Sequence, residues 1–167
     1  MEEFAKALCA QSKSAGIPDE YNLFGPVVGE WDLEWIDHLD TEQERHVKGE
    51  WIFSWVLEGT AIQDVFIVPS RTERLINPQP DGEYGTTIRI YDPETFSWNV
   101  FFGCSTSAIR LNARKEGDEV VITEITEGNM KWIFSDIKEN SFQWRKVMRD
   151  DTLSWRLVAK AFATRKK

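Results

Sequence analysis

The sequence predicts a mainly β protein, a ten-stranded antiparallel up-and-down barrel with a short N-terminal helix. Three observations predict this fold. Apolar and polar residues alternate in short runs, as in Trp31, Leu33 and Trp35 with acids between them. Ten such runs follow one another, mostly joined by tight turns, and helical periodicity is nearly absent. Because a period of two places neighbouring side chains on opposite faces of a strand, each run has one apolar face. Sequential hairpins favour closure into a barrel.

The N-terminal part of the chain is predicted to be one helix followed by a covering segment. The helix covers 2–13, because Phe4 and Leu8 lie four residues apart among alanines. Gly16 and Pro18 end it. Residues 19–28 combine turn formers with a few apolar anchors, so we expect them to lie across one end of the sheet.

Ten strands follow in the prediction, and their boundaries come from the alternation and from turn residues. Pro69 cannot donate to a strand ladder and ends the third strand, while Glu58-Gly59 suits a hairpin turn. No linker interrupts the chain, so 1–167 is predicted to be one domain, with a covering segment at 1–28 and a barrel at 29–163. The predicted strands are 29–37, 46–57, 60–68, 84–91, 97–103, 107–114, 119–125, 130–136, 141–148 and 153–163.

Composition excludes several classes of function. The net charge of −8 argues against nucleic acid, because a phosphate-binding surface needs clustered Lys and Arg. No segment approaches the roughly 20 apolar residues that span a bilayer, and the N-terminus does not read as a signal peptide. Cys9 and Cys104 lie too far apart to form a metal motif. We therefore expect a cytoplasmic protein with no nucleic-acid or membrane partner.

Two sets of residues resemble a known superfamily. Gly29-Glu30-Trp31 resembles the Gly-x-Trp signature of lipocalins and calycins, in which the indole closes one barrel end beside an Arg of the last strand. Arg156 or Arg165 can fill that place, and Arg156 is preferred because it lies inside the predicted strand. The second set resembles a bacterial family of uncharacterised lipocalin-like proteins over about 27–163; it comprises WVLEGTAIQD (55–64), PSR (69–71), YGTTIRIYDPET (84–95) with Trp98, FQW (142–144) and TLSW (152–155). The resemblance implies a calycin-like barrel and no particular activity.

The aromatic residues suggest what the barrel interior does. The chain contains 8 tryptophans, and each buried indole removes about 150–250 Å² from water. Two interpretations stand side by side: the rings fill the barrel as a core, or they surround a cavity that holds one small ligand. The candidate ligand-binding residues are Trp31, Trp35, Trp51, Trp55, Asp64, Arg89, Trp98, Phe102, Trp132 and Trp144.

Two polar positions within predicted strands have alternative readings. Of Gln63 and Asp64, one must point inward, either to anchor a ligand or to make an internal hydrogen bond. Arg89 shares a face with Thr87, which would suit the binding of an acid. Its neighbours Ile88 and Ile90 instead favour an Arg89 that faces solvent.

Nothing in the sequence predicts a catalytic or metal-binding motif. His38 and His46 flank a loop, unlike the buried ligand of nitrobindin-type haem barrels, so no haem or other cofactor is expected. Cys104 and Ser105 have no base at a recognisable spacing. The favoured function is non-catalytic binding of a small hydrophobic or amphipathic molecule. The alternatives are a filled barrel that interacts through its acidic surface around 30–50, and an isomerase or cyclase that uses Asp64.

Overall fold

Eleven strands and a few short helical turns form the chain in the computed structural model, which describes residues 2–167. The two α-helices are α1 (Glu2–Leu8) and α2 (Glu73–Ile76), and 3-10 turns cover Asp19–Tyr21, Gly25–Val27 and Leu57–Gly59. The strands are β1 (Cys9–Ala10), β2 (Gly29–Asp37), β3 (Arg45–Val56), β4 (Ala61–Val68), β5 (Glu83–Asp92), β6 (Ser97–Gly103), β7 (Ala108–Glu116), β8 (Glu119–Glu124), β9 (Met130–Ser135), β10 (Ser141–Arg149) and β11 (Trp155–Arg165).

Strands β2 to β11 form a closed antiparallel barrel. Each strand pairs with the next along the chain, and β11 returns to pair with β2, which places Ala161 opposite Trp35. The circle is complete because β3 also pairs with β4, with Trp51 opposite Phe66. Closure leaves no free edge along the barrel wall. The predicted fold, a mainly β up-and-down barrel of ten strands with a short N-terminal helix, is confirmed.

The N-terminal helix is shorter than predicted. It ends at Leu8, and Cys9 and Ala10 form β1 opposite Val56 and Trp55. Strand β2 begins at Gly29 opposite Phe53, so the β3 backbone beyond Phe53 lacks a β2 partner on that side. The backbone amides at the end of β3 need hydrogen-bond partners, and Cys9 and Ala10 supply them as a short strand. The helix that the local sequence favours therefore ends before these two residues. None of the residues Glu2–Leu8 is buried.

The interior of the barrel combines large rings with small residues. Strand β11 directs Ala159, Ala161 and Ala163 inward, and all three are buried. Ala161 lies opposite Trp144 on β10 and opposite Trp35 on β2. Methyl groups between two ring-bearing strands leave room for the indoles to meet across β11, which is how a small barrel reaches a close-packed interior.

Residues 17–27, which we call the plug, close one end of the barrel. Leu23, Phe24 and Val27 are buried in the same core as the strand residues. The Trp31 indole N–H donates to the Val27 carbonyl at 2.7 Å, and the Trp98 indole N–H donates to the Tyr21 carbonyl at 2.8 Å. The plug therefore satisfies the polar edges of two deeply buried indoles.

Arg165, rather than Arg156, accompanies the indole of the Gly-x-Trp segment. Its guanidinium carbon lies 4.1 Å from the centre of the Trp31 ring, and its Nη1 donates to the Val28 carbonyl at 2.8 Å. The preference for Arg156 was wrong, because antiparallel pairing places the end of β11 beside the start of β2, with Arg165 opposite Trp31. Gly29 has a φ of 131°, and a side chain there would collide with the Arg165 guanidinium.

Candidate functional site

A cavity of about 330 Å³ lies inside the barrel on the side away from the plug, and we call it the aromatic cavity. Most of its lining residues lie on the inward faces of eight barrel strands, and the others belong to the loop between β6 and β7. The rings are Trp35, Trp51, Phe66, Phe102, Trp132 and Trp144; the remaining lining residues are Glu83, Thr87, Cys104, Thr106, Ser107, Ile109, Met130 and Lys146.

The cavity reaches the surface between the barrel strands and the β6–β7 loop. Thr106 and Ser107 lie in this loop, line the cavity and are exposed to solvent. Glu83, at the start of β5, and Lys146, near the end of β10, are half-buried at the same end. The barrel is therefore closed by the plug at one end and accessible at the other, which we call the mouth.

The rings around the cavity hold one another in place. The Trp35 ring centre lies 5.4 Å from that of Trp144 and 5.6 Å from that of Phe66. On the other side, Phe102 meets Trp132 edge to face at 5.4 Å. Such contacts are favourable beyond the area that they bury. Because each ring is fixed by a neighbour, the cavity wall is formed before any ligand arrives.

A buried ion pair lies beneath the cavity floor. Arg89 Nη1 donates to Asp64 Oδ2 at 2.5 Å, and the side chains are 1% and 0% exposed respectively. The Thr87 backbone N–H donates to Asp64 Oδ1 at 3.2 Å. The Arg89 guanidinium carbon also lies 4.9 Å from the centre of the Phe24 ring. Burial raises the pKa of Asp64, and Arg89 acts in the opposite direction.

The structure shows which of Gln63 and Asp64 faces inward and which way Arg89 faces. Asp64 faces inward, whereas Gln63 faces outward and donates to Thr86 Oγ1 at 3.0 Å. The expectation that Arg89 faces solvent was wrong, since the residue is 0% exposed. Arg89 turns inward because Asp64 supplies a countercharge on the neighbouring strand, while Ile88 and Ile90 are only half-buried on the outside. Neighbouring side chains on one strand could not reveal this partner, which comes from another strand.

Two charged side chains face each other across the mouth. Glu83 on β5 and Lys146 on β10 both line the cavity. The pKa of Glu83 is raised, mainly by burial. The positive charge of Lys146 acts in the opposite direction, and the negative charge of Asp64 adds to the increase. Cys104 lies at the same end as a half-buried free thiol. Hydrogen bonding with Thr106 lowers the pKa of that thiol.

Some buried polar atoms in and beneath the cavity wall lack partners. Among residues 2–167, the indole N–H groups of Trp51 and Trp144 are buried without a hydrogen bond, as is Arg89 Nε. Trp51 lies close enough to Asp64 to lower its pKa, but it does not reach hydrogen-bond geometry. The Trp51 indole N–H is therefore directed towards Asp64, beneath the cavity floor. The Trp144 indole is 6% exposed.

The structure brings half of the candidate ligand-binding residues together. Trp35, Trp51, Phe102, Trp132 and Trp144 line the aromatic cavity. The other candidates do not line it; Trp31, Trp55 and Trp98 lie in the core towards the plug, and Asp64 and Arg89 lie beneath the floor.

Glu83 and Lys146 were not among the sequence candidates. A signal for Lys146 was present, because it lies two residues from Trp144 and so shares its face. Glu83 likewise shares the face of Thr87 and Arg89. The histidines lie outside the cavity, and His46 is exposed between Glu34 and Glu44, whose hydrogen bonds raise its pKa.

Comparison with known proteins supports the fold. The chain is similar to the crystal structure of Rv2717c from M. tuberculosis, with a TM-score of 0.58 and 10% identity over 90% of this chain and 99% of that one. It is also similar to the S-type phycobiliprotein lyase CPES from Guillardia theta, with a TM-score of 0.59 and 11% identity over 91% of this chain and 95% of that one. Both are lipocalin-like barrels, and this chain shares that barrel fold.

Comparisons at the sequence level add no family. No family model matches the chain, and no curated protein matches it. The resemblance to an uncharacterised bacterial family therefore stays a prediction.

Of the helices within residues 2–167, none is long and apolar enough to cross a membrane. Within the same range no three His, Cys, Asp or Glu side chains form a group suited to a metal ion. A cytoplasmic location also stays a prediction.

Proposed function

We propose that the protein binds one small hydrophobic or amphipathic molecule in the aromatic cavity, without catalysing a reaction. The observation that carries this proposal is the ring-lined space of about 330 Å³ with access from the mouth. An engineered apolar cavity of about 150 Å³ binds benzene. A space about twice that size suits two fused rings or a molecule of similar bulk.

The two alternatives have less support. A filled barrel that acts through its acidic surface would have no internal cavity, whereas this barrel has a cavity of about 330 Å³. An isomerase or cyclase would need an acid or base in contact with the substrate. Asp64, which the sequence suggests for that role, is ion-paired with Arg89 beneath the floor and does not line the cavity. The fold shared with a phycobiliprotein lyase is compatible with a small-molecule ligand, but at 11% identity it carries no activity across.

The test is a fluorescence titration with 1-aminonaphthalene, a neutral molecule of two fused rings. We expect quenching of the indole emission and a blue shift of the probe emission, because the probe leaves water for a ring-lined site. Ile109→Trp, which adds a ring to the cavity lining, should abolish both signals. Arg110→Trp is the matched control, since Arg110 is exposed on the outer face of the same strand. A probe that binds both variants equally well, or that does not bind the unmodified protein, would refute the proposal.

A further inference from the structure

The charged groups of the mouth suggest which kind of molecule the cavity selects. Glu83 is on β5 and Lys146 is on β10, and four strands separate these two in either direction around the barrel. The strands therefore form opposite walls. Register places both side chains on the inward face, because Glu83 pairs with the buried Val68 and Lys146 pairs with the cavity residue Trp132. A ligand that enters the cavity passes between the carboxylate and the ammonium group.

Among residues 2–167, neither the Glu83 nor the Lys146 side chain makes a hydrogen bond or a salt bridge. Within the part of the chain that the structure describes, the influences on the Glu83 carboxyl are burial and the charges of Lys146 and Asp64, without a hydrogen bond. The outward-facing neighbour of Lys146 behaves differently: Arg145 makes two hydrogen bonds to Glu119, at 2.7 and 3.1 Å. Half-buried charges are costly unless they are paired, so the mouth offers one acceptor and one donor to an incoming molecule.

Charge complementarity restricts the head group of that molecule. A purely anionic head would pair with Lys146 but would repel Glu83, and a purely cationic head would do the reverse. A head that carries both signs, or a donor and an acceptor, satisfies both walls at once. The apolar part of the ligand then lies among the rings below, where Trp132 and Trp144 flank Lys146 and the Trp144 indole N–H is unpartnered among residues 2–167.

We propose that the aromatic cavity selects a ligand with a bulky ring system and a dipolar head group, positive or donating towards Glu83 and negative or accepting towards Lys146. This inference rests on the proposed binding function. It assigns Glu83 and Lys146 as the residues that determine specificity, one on each side of the mouth.

The test uses three ligands with the same naphthyl group and different heads, each measured by displacement of 1-aminonaphthalene at neutral pH. Naphthylalanine is a zwitterion, naphthylacetate is an anion and naphthylethylamine is a cation. The unmodified protein should bind the zwitterion about tenfold more tightly than either singly charged ligand, since each charged hydrogen bond is worth about that factor or more. Glu83→Gln should shift the preference to the anion, and Lys146→Met should shift it to the cation.

Arg145→Met is the matched control, because it removes a positive charge from the outer face one residue away and should leave the preferences unchanged. If the three ligands bind equally well, or if neither mouth variant changes their order, the selection by head group is refuted while ligand binding stands. If 1-aminonaphthalene itself does not bind, the proposed function fails first. The two proposals therefore fail by different results.

Discussion

Asp64 and Arg89 show how one pair of residues supports the cavity without lining it. Both side chains are fully buried, and the guanidinium lies against the rings of Phe24, Phe53 and Phe134. Ring faces are electron-rich, so they partly replace the water that Arg89 loses on folding. The pair joins the plug, through Phe24, to the cavity floor, through the Thr87 backbone. We therefore assign it a structural role.

Breaking this pair should be far more damaging than removing it. Asp64→Asn leaves the Arg89 charge buried without a countercharge, and we expect it to lower the free energy of unfolding by about 3–5 kcal/mol. Asp64→Leu combined with Arg89→Met removes both charges and should cost clearly less than the sum of the costs of Asp64→Leu and Arg89→Met made separately. Urea denaturation of the single and double variants measures this coupling.

The control for the buried pair is an ion pair on the barrel surface. Arg145 and Glu119 lie 2.7 Å apart with about a third of each side chain exposed, at 34% and 37%. Glu119→Gln should therefore cost only about 0–1 kcal/mol. Similar losses for Asp64→Asn and Glu119→Gln would contradict the structural role of the buried pair.

The plug and the last strand form the element that closes the barrel. Arg165 belongs to β11, yet its guanidinium donates to the carbonyls of Glu139, Val28 and Pro26 at 2.7, 2.8 and 3.1 Å. One side chain thus links the end of β11, the β9–β10 turn and the plug. These carbonyls lie in irregular backbone, where no strand ladder would satisfy them.

Loss of this link should loosen one end of the molecule. Arg165→Ala should lower the free energy of unfolding by about 2 kcal/mol, because hydrogen bonds to charged groups contribute about 1.5–3 kcal/mol and this site is partly solvated. Amide hydrogen exchange in residues 22–29 should become faster. Arg156→Ala removes an exposed guanidinium from the same strand and should change neither measurement. Equal effects of the two substitutions would show that Arg165 does not hold the plug.

How far the sequence predicts the fold differs between local and non-local features. Alternation located all ten barrel strands, because one face of each strand is buried and the other is wetter. The predicted helix over 2–13 is too long, because Cys9 and Ala10 pair with β3 instead of continuing the helix. That pairing is possible only because β2 begins at Gly29 and leaves the end of β3 without a β2 partner. The place of Arg165 likewise depends on register between distant strands. Periodicity within a segment contains no information on such pairings.

The same limit applies to the site. Five of the aromatic candidates line one cavity, but alternation cannot separate the rings of the cavity from those of the closed end. Trp31 and Trp35 share one face of β2, yet Trp31 bonds to the plug and Trp35 lines the cavity. Position along the barrel axis decides which ring lines the cavity, because the plug fills only the end where Trp31 lies.

At the scale of the whole molecule, the barrel has two ends with different properties. The plug end is a continuous aromatic core, in which Trp31, Trp98 and Phe134 are fully buried. The mouth end has the aromatic cavity and the charged side chains of Glu83 and Lys146. The eight tryptophans divide accordingly: four line the cavity, three lie in the core towards the plug, and Trp155 lies outside beside Lys131 and Arg149. This division provides a built-in set of reporters.

Ligand binding in the aromatic cavity is tested most directly by fluorine NMR of protein labelled with 5-fluorotryptophan and titrated with 1-aminonaphthalene. Eight resonances are expected, and single Trp→Phe substitutions assign them. The resonances of Trp35, Trp51, Trp132 and Trp144 should shift on addition of the probe, whereas those of Trp31, Trp55, Trp98 and Trp155 should not. Shifts at the second group alone, or a titration that moves no resonance, would contradict a ligand site among the rings at the mouth.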